Sequence, residues 1–332
     1  MRVTQVSEST FTVKGHGVHT AFYELTEALK KQPNIRIRVN RFEAADIIHI
    51  HTVGIFSMLF LLFAPGKKVV SAHVVPDSLV GSLVGAKFWL PLATRYLRWF
   101  YNRADLVVSV SDSTKRDLEA MKVRARIEVV YNLINTGRYE ATDADRASAR
   151  KKLGYSADQW LVVGSGQVQP RKRIDSFVAV ARQLPHIQFV WVGGMPFGKL
   201  AAENGTMKRI IEDAPPNVLF TGVVELEQVR QYYWASNVFW LPSSQETFGL
   251  VVVEAAASGL PVVLRDIPDY AETFGDCAVL ATDETFAEAI LQLREDQSYY
   301  AHAVTRSAEI SERFGVERGV ERMLEAYRSL LV

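Results

Sequence analysis

Cysteine is almost missing from these 332 residues, and Cys277 stands alone. One thiol cannot build a disulfide framework, so stability must come from buried apolar cores, and a reducing cytosolic setting is expected. Long hydrophobic runs are scarce too. The apolar stretch V-G-I-F-S-M-L-F-L-L-F-A, Val53 to Ala64, covers only twelve residues, whereas crossing a bilayer takes about 20. No secretory leader is visible ahead of the strand-like run Arg2 to Ser7. Internal repeats and low-complexity tracts are absent, which excludes solenoids and arrays. Convincing metal sets are lacking as well. His49 and His51 alternate on one strand face, but no third ligand follows at a suitable spacing, which favours a structural or cleft-lining role. Asp143 and Asp145 mimic a metal-binding D-x-D within a polar stretch that a solvated linker explains, so no metal is expected.

What is present points to two domains. The length exceeds one usual domain, and a hydrophobic content of 48% is enough for two cores. A net charge of +1 hides an asymmetry: residues 1–140 hold 19 Lys or Arg against 12 Asp or Glu, and the remainder 19 against 25. A basic first half suits an anionic surface, either a membrane leaflet or a nucleic acid. Short β-rich runs alternate with helical patterns along both halves. In the first they are Arg2–Ser7, Ile35–Phe42, Asp46–His51, Lys68–His73, Leu106–Ser111 and Arg126–Tyr131. In the second they are Trp160–Gly166, Gln188–Gly193, Val218–Gly222, Val238–Pro242, Pro261–Leu264 and Ala278–Ala281. Such alternation predicts parallel sheets covered on both faces. Helices are expected over Gly17–Lys31, Lys87–Asn102 and Val316–Leu331. The polar stretch Leu133–Ser156 is expected to connect the domains.

The chemistry concentrates between Ser243 and Val263. Glu246 and Glu254 stand eight residues apart around Thr247, Phe248 and Gly249, and a helical step of eight returns to nearly the same face. If Gly249 or a neighbour opens the helix, its first N–H groups and the dipole favour a diphosphate, and the two carboxylates can accept sugar hydroxyls. The bland alternative is a solvated Glu254. Its apolar company, Leu250 to Val253 and Ala255 to Ala257, argues against that. Upstream, Gly164-Ser165-Gly166 precedes Pro170-Arg171-Lys172-Arg173. A dinucleotide fingerprint fails there, because Gln169 replaces the third glycine and no acidic residue closes a following strand. Cations opening a helix oppose its dipole unless an anion joins them, and Arg171 and Lys172 suit a diphosphate. Near the N-terminus, Gly15 and Gly17 in Lys14-Gly15-His16-Gly17 permit close backbone approach to a ligand. His73 ends an apolar strand, where residues of an open parallel sheet face the ligand crevice; a capping or core histidine is the plainer reading of the residues alone.

The stretch containing Pro242, Ser243, Glu246, Phe248, Gly249, Glu254, Ala255, Ala257, Gly259, Pro261, Val262 and Val263 resembles the donor signature of the large retaining glycosyltransferase family of GT-B fold, group 1 (family 4). Phe220 to Val224, Tyr232, Ala235 and the run from Ser236 to Ser243 extend the resemblance over nearly the whole chain. It implies an α/β fold of two Rossmann-like domains facing each other across a cleft. The first, 1–140, would bind acceptor and membrane, and the second, 155–312, the nucleotide sugar, while residues 313–332 form a helix packing back on the first. It further implies a donor site of Gly15, Gly17, Arg171, Lys172, Glu246, Thr247, Phe248, Gly249, Leu250 and Glu254, with Glu254 on the ribose. His73, Lys172 and Glu246 would be catalytic. The implied mechanism is metal-independent front-face transfer, in which the leaving phosphate takes the acceptor's proton. Gln167 stands where the family usually has arginine, a place Arg171 can fill.

Lys87 to Arg103 reads K-F-W-L-P-L-A-T-R-Y-L-R-W-F-Y-N-R, with no acid. Lys87, Trp89, Arg95, Arg98, Trp99 and Arg103 are expected to touch an anionic membrane surface; a buried helix is the alternative here and for Val53–Ala64. The string H-x-x-P-D-x-L-x-G-S at His73 to Ser82 and G-Q-V-Q-x-R-K at Gly166 to Lys172 also resemble short bacterial synthases that add a second hexose to monoglycosyl-diacylglycerol. By that resemblance the donor is a UDP-sugar carrying glucose or galactose, no cofactor is needed, the acceptor is a glycolipid, and the enzyme is cytoplasmic but peripheral on the inner face of the cell membrane, with no nucleic acid partner. The rival readings are a transferase with a soluble or cell-wall acceptor, a nucleotide-sugar epimerase of the same fold, and a cationic module that binds nucleic acid. Linkage position, oligomeric state and the exact base and hexose are left open.

Overall fold

The computed structural model describes residues 1–11, 17–79, 86–195 and 204–331. Its described residues fall into two compact units, one built mainly from 1–79, 87–135 and 314–332 and the other from 136–313. Gly15, residues 80–82 of the His73–Ser82 string and the side chain of Lys87 lie outside the described residues.

The first unit runs β1 (Arg2–Val6), α1 (Gly17–Lys30), β2 (Arg36–Val39), β3 (Ile47–Ile50), α2 (Ile55–Phe63), β4 (Lys67–Ala72), α3 (Pro76–Leu79), α4 (Ala86–Tyr101), β5 (Leu106–Ser109), α5 (Asp112–Ala120) and β6 (Arg126–Val129). Its six strands are parallel in the order β2-β1-β3-β4-β5-β6. Strand residues point alternately to opposite faces, and two cores result. Ile48, Ile50, Val70 and Val107 meet Phe60, Leu97, Phe100 and Leu118 from α2, α4 and α5. On the other face Val3, Ile47, Val69 and Leu106 meet Leu25 and Leu29 of α1.

The second unit runs α6 (Asp143–Leu153), β7 (Leu161–Ser165), α7 (Ile174–Gln183), β8 (Gln188–Val192), α8 (Asn204–Glu212), β9 (Val218–Phe220), α9 (Leu226–Ala235), β10 (Val238–Leu241), α10 (Leu250–Ala257), β11 (Val262–Arg265), α11 (Pro268–Phe274), β12 (Val279–Ala281), α12 (Phe286–Glu295) and α13 (Gln297–Arg313). Its parallel sheet has the order β12-β11-β10-β7-β8-β9. Phe177, Trp191 and Trp240 lock this core, the Phe177 ring lying 5.1 Å from each indole. Gly164 is required by that packing, because a Cβ there would stand 2.7 Å from the Trp191 ring. The last helix, α14 (Val316–Arg328), groups with the first unit and sends Val320, Met323, Leu324 and Tyr327 into the α1 face of its sheet.

Every expected β run forms a strand, within one to three residues at either end. The polar stretch 133–156 includes the division between the two units, after Asn135. It contains α6, opened by a capping box in which Thr142 accepts from the Asp145 N–H while the Asp145 carboxylate returns to the Thr142 N–H. Asp143 and Asp145 are therefore first-turn acids of a helix, where the dipole favours them.

Candidate functional site

In an open parallel sheet, loops leaving two neighbouring strands in opposite directions open a crevice at the strands' carboxyl ends. In the second unit that switch point lies between β7 and β10, since β8 continues on one side of β7 and β10 on the other. The loop after β7 carries Gly166 to Lys172 and the loop after β10 carries Pro242 to Gly249. They are tied together: the Ser244 N–H donates to the Arg171 carbonyl at 2.8 Å, and Arg171 Nη1 donates to the Gln245 carbonyl at 3.2 Å.

These ties bring three expected residues onto one another. Glu246 Oε1 accepts from Arg171 Nη1 at 3.1 Å and forms an ion pair with Lys172 Nζ. Lys172 and Glu246 are both buried. Burial pushes the Glu246 carboxyl up, but Lys172 and Arg171 outweigh it and hold the group below its usual range. Burial lowers the Lys172 ammonium, and the charge of Glu246 only partly restores it. Gly166 makes room for this lysine. Its φ of +137° suits glycine, and a Cβ there would crowd Lys172 Cε at 3.2 Å.

Two partners escaped the sequence reading. Gln169 is buried and accepts from Arg171 Nε at 3.1 Å, while its own amide donates to Gln167 at 3.1 Å. The alternating Gln167, Gln169 and Arg171 thus form one hydrogen-bonded rail that aims the guanidinium. Asp269 accepts from the Glu246 N–H at 3.3 Å. The alternation was a visible signal, masked by treating Gln169 only as a missing glycine.

Gly249 is the N-cap of α10, left-handed at φ 91°, with no side-chain cap. Leu250 therefore opens the helix, whose first amides form a positive end. Glu246 lies before the helix and Glu254 is its fifth residue, so the two do not share a helical face, and Glu254 sits a little over one turn along rather than two. Glu254 is buried, and its Oε2 accepts from the Tyr233 hydroxyl at 3.0 Å. Tyr233, on α9, was also missed. Thr247 and Phe248 lie between Glu246 and the cap, Phe248 packing its ring 5.8 Å from Phe274.

The first unit places its polar residues at the same end of its own sheet. Gln5, His49, His51, Ser71, His73 and Tyr327 are buried. His51 Nδ1 lies 3.3 Å from His73 Nε2, and His49 Nε2 lies 2.8 Å from Ser71 Oγ. The histidine pair is thus part of a structural network. Gly17 is the exposed first residue of α1.

On the opposite face, α4 divides its side chains. Leu97, Phe100 and Tyr101 enter the core, whereas Arg95 and Arg98 are exposed, as is Arg103 just beyond the helix, its guanidinium 4.0 Å over the half-buried Trp99 ring. Trp89 is half-buried. Neighbouring α2 buries Ser57, Phe60 and Leu61 but exposes Ile55 (75%), Leu59 (44%), Leu62 (40%) and Phe63 (66%). The Tyr96 hydroxyl donates to the Val53 carbonyl at 2.6 Å, joining α4 to the segment that leads into α2. Among the described residues no helix is long and apolar enough to cross a membrane, and no group of three or more His, Cys, Asp or Glu is placed to hold a metal ion.

Residues 158–296 match the profile of the family described as "Glycosyl transferases group 1", and residues 7–138 that of "Glycosyltransferase Family 4". The chain is 32% identical to an alpha-galactosylglucosyldiacylglycerol synthase of Streptococcus pneumoniae, over 98% of this chain and 89% of the relative. It is 27% identical to a processive diacylglycerol alpha-glucosyltransferase of Acholeplasma laidlawii, over 100% and 99%. The fold matches Anabaena Alr3699/HepE in complex with UDP-glucose at a TM-score of 0.80 and 19% identity, covering 99% of this chain and 100% of that one. It also matches sucrose-phosphate synthase from Thermosynechococcus elongatus at 0.83 and 19%, covering 99% of both.

Proposed function

The chain belongs to the group 1, family 4 glycosyltransferases and is a glycosyltransferase of GT-B fold, and from that premise we propose that it moves a hexose from a UDP-sugar onto a membrane glycolipid such as monoglucosyl-diacylglycerol. The observation that carries the donor half is the convergence of Arg171 and Lys172 on one oxygen of Glu246, beside the uncapped start of α10. A diphosphate entering there meets two cations and a helix N-terminus, all of which favour the negative charge that grows on a departing nucleotide. These groups supply the neutralisation that a divalent ion supplies in other transferases, so no metal is needed. Glu246 is the sugar-side carboxylate and Glu254 the ribose-side one, with Tyr233 holding one of its oxygens. The acceptor hydroxyl oxygen bonds to the anomeric carbon as the carbon–phosphate oxygen bond breaks on the same face. The hydroxyl proton passes to the leaving phosphate, and the configuration is retained. His73 lines the reaction centre.

The acceptor half rests on the two diacylglycerol glycosyltransferase relatives and on the surface of the first unit. An exposed apolar stripe on α2 beside the cations of α4 suits a helix pair seated in an anionic bilayer surface, with apolar side chains among acyl chains and arginines at phosphates. A peripheral position on the inner leaflet follows. Product analysis with UDP-glucose and UDP-galactose, each with monoglucosyl-diacylglycerol in mixed vesicles, tests the reaction: a diglycosyl lipid formed equally well in excess EDTA is expected. A free-sugar or epimerised donor without lipid product defeats the assignment. Sedimentation with anionic vesicles should carry the protein down, and the double variant Ile55→Glu/Phe63→Glu should stay in the supernatant; equal pelleting of both would remove α2 from the contact.

A further inference from the structure

The buried polar atoms at the carboxyl ends of β1, β3 and β4 form one continuous chain, and a single amide fixes its direction. Gln5 donates from Nε2 to the Tyr327 hydroxyl at 3.1 Å and presents Oε1 to His51 Nε2 at 2.7 Å. A carbonyl oxygen only accepts, so the proton between them sits on His51 Nε2. Burial first, then the neighbouring His49 and His73, keeps His51 well below its usual range, so the ring is neutral. Its Nδ1 is then a lone pair, and the atom facing it at 3.3 Å, His73 Nε2, must carry a proton. At the other end, Tyr327 uses its own hydrogen on His49 Nδ1 at 2.6 Å, and His49 Nε2–H reaches Ser71 Oγ at 2.8 Å. Each bond then has one donor and one acceptor. The His51 and His73 rings are stacked at 21°, and Phe22 of α1 packs its edge against His51 with centroids 5.3 Å apart, which fixes the ring planes.

We infer that His51 is a positioning residue that holds His73 as the Nε2–H tautomer, with its lone pair on Nδ1, and that Tyr327 sets the direction of the whole chain through Gln5. Held as that tautomer, His73 accepts a hydrogen bond through Nδ1 and donates none there, which suits orienting a hydroxyl and excludes proton donation from that nitrogen. Only the kinetic consequence rests on the reading of His73 as a reaction-centre residue; the tautomer itself does not.

Long-range ¹H–¹⁵N imidazole spectra of the full-length protein test this, with His73→Gln used to assign the signals. The wild type should show His73 protonated at Nε2. Tyr327→Phe removes one oxygen and Gln5→Met removes the amide, and either should give mixed His73 tautomers in a protein that still melts cooperatively; the milder Tyr327→Phe covers the case in which Gln5→Met fails to fold. With saturating donor, kcat should fall roughly tenfold in both while the donor KM is unchanged. His73 protonated at Nδ1 in the wild type, or a tautomer unmoved in both variants, overturns the inference. A tautomer that moves with kcat unaltered upholds the positioning chain and defeats instead the placement of His73 at the reaction centre.

Discussion

The two units carry buried polar clusters at equivalent places, the carboxyl ends of their parallel strands, yet the clusters are built on opposite principles. In the second unit the groups are charged: Lys172 and Arg171 converge on Glu246. In the first they are neutral rings, an amide and hydroxyls, joined donor to acceptor from His73 to Ser71. Removing an ion from water is costly, and an ion pair recovers this only with close geometry. A neutral network loses far less on burial if every group is bonded. The charged cluster therefore suits a ligand that brings its own charge, and the neutral one suits hydroxyls. The proposed diphosphate donor and uncharged glycolipid acceptor would make those two demands.

The sharpest way to break this contrast is to uncharge the second cluster. Lys172→Ala should lower kcat/KM about 10²- to 10³-fold and reduce stability by about 3 kcal/mol, because Glu246 keeps only Arg171. The double variant Lys172→Met/Glu246→Gln should regain most of the melting temperature and none of the activity. Recovery of turnover in the double variant would show that the charges serve packing alone.

Acid separates the clusters next. His49 is held at about 3 and His51 well below 6.5, chiefly by burial. Between pH 6.5 and 3 the unfolded chain binds a proton that the native His49 ring refuses, so stability present above pH 6.5 is lost as the pH falls, by about 2 kcal/mol at pH 5, and His51 acts in the same direction. Glu246 is depressed below 4.5, so its contribution is intact at pH 5 and disappears only in stronger acid. Hydrogen exchange corrected for intrinsic rates should show protection falling in β1, β3 and β4 between pH 7 and pH 5, with β7 and β10 little changed. The reverse order would mean that the histidines are charged in the native state. The smallest effect is expected from Tyr233→Phe, which removes the hydroxyl that donates to Glu254: a severalfold rise in donor KM, of order 1 kcal/mol, with kcat nearly constant in initial-rate measurements.

Much of this was legible in the chain itself. Runs such as Val69 to Ala72 and Leu161 to Gly164 are mostly apolar because both faces of a parallel sheet are covered, and that pattern needs no tertiary information. The pairing of Glu246 with Lys172 was half legible: each was singled out as a donor residue, but their contact depends on β7 and β10 lying side by side despite the 74 residues between the two side chains. Helix α6 escaped notice because Ala149 is its one buried residue, leaving no apolar stripe, although Thr142 and Asp145 have the spacing of a capping box. The apolar faces of α2 and α4 could be counted but not assigned, since which residues turn inward is set by what packs there. The helix carrying Tyr327 was expected to pack on the first unit, but its bond to His49, 278 residues away, was not.

That last separation bears on how the molecule is made. Residues 136–313 can assemble their own sheet once they have emerged from the ribosome, whereas the first unit draws on 314–332, so its strands must wait for a helix made after the whole second unit to supply Tyr327. Until then the α1 side of that sheet lacks part of its cover, and the nascent chain depends on holding that surface apart from others like it.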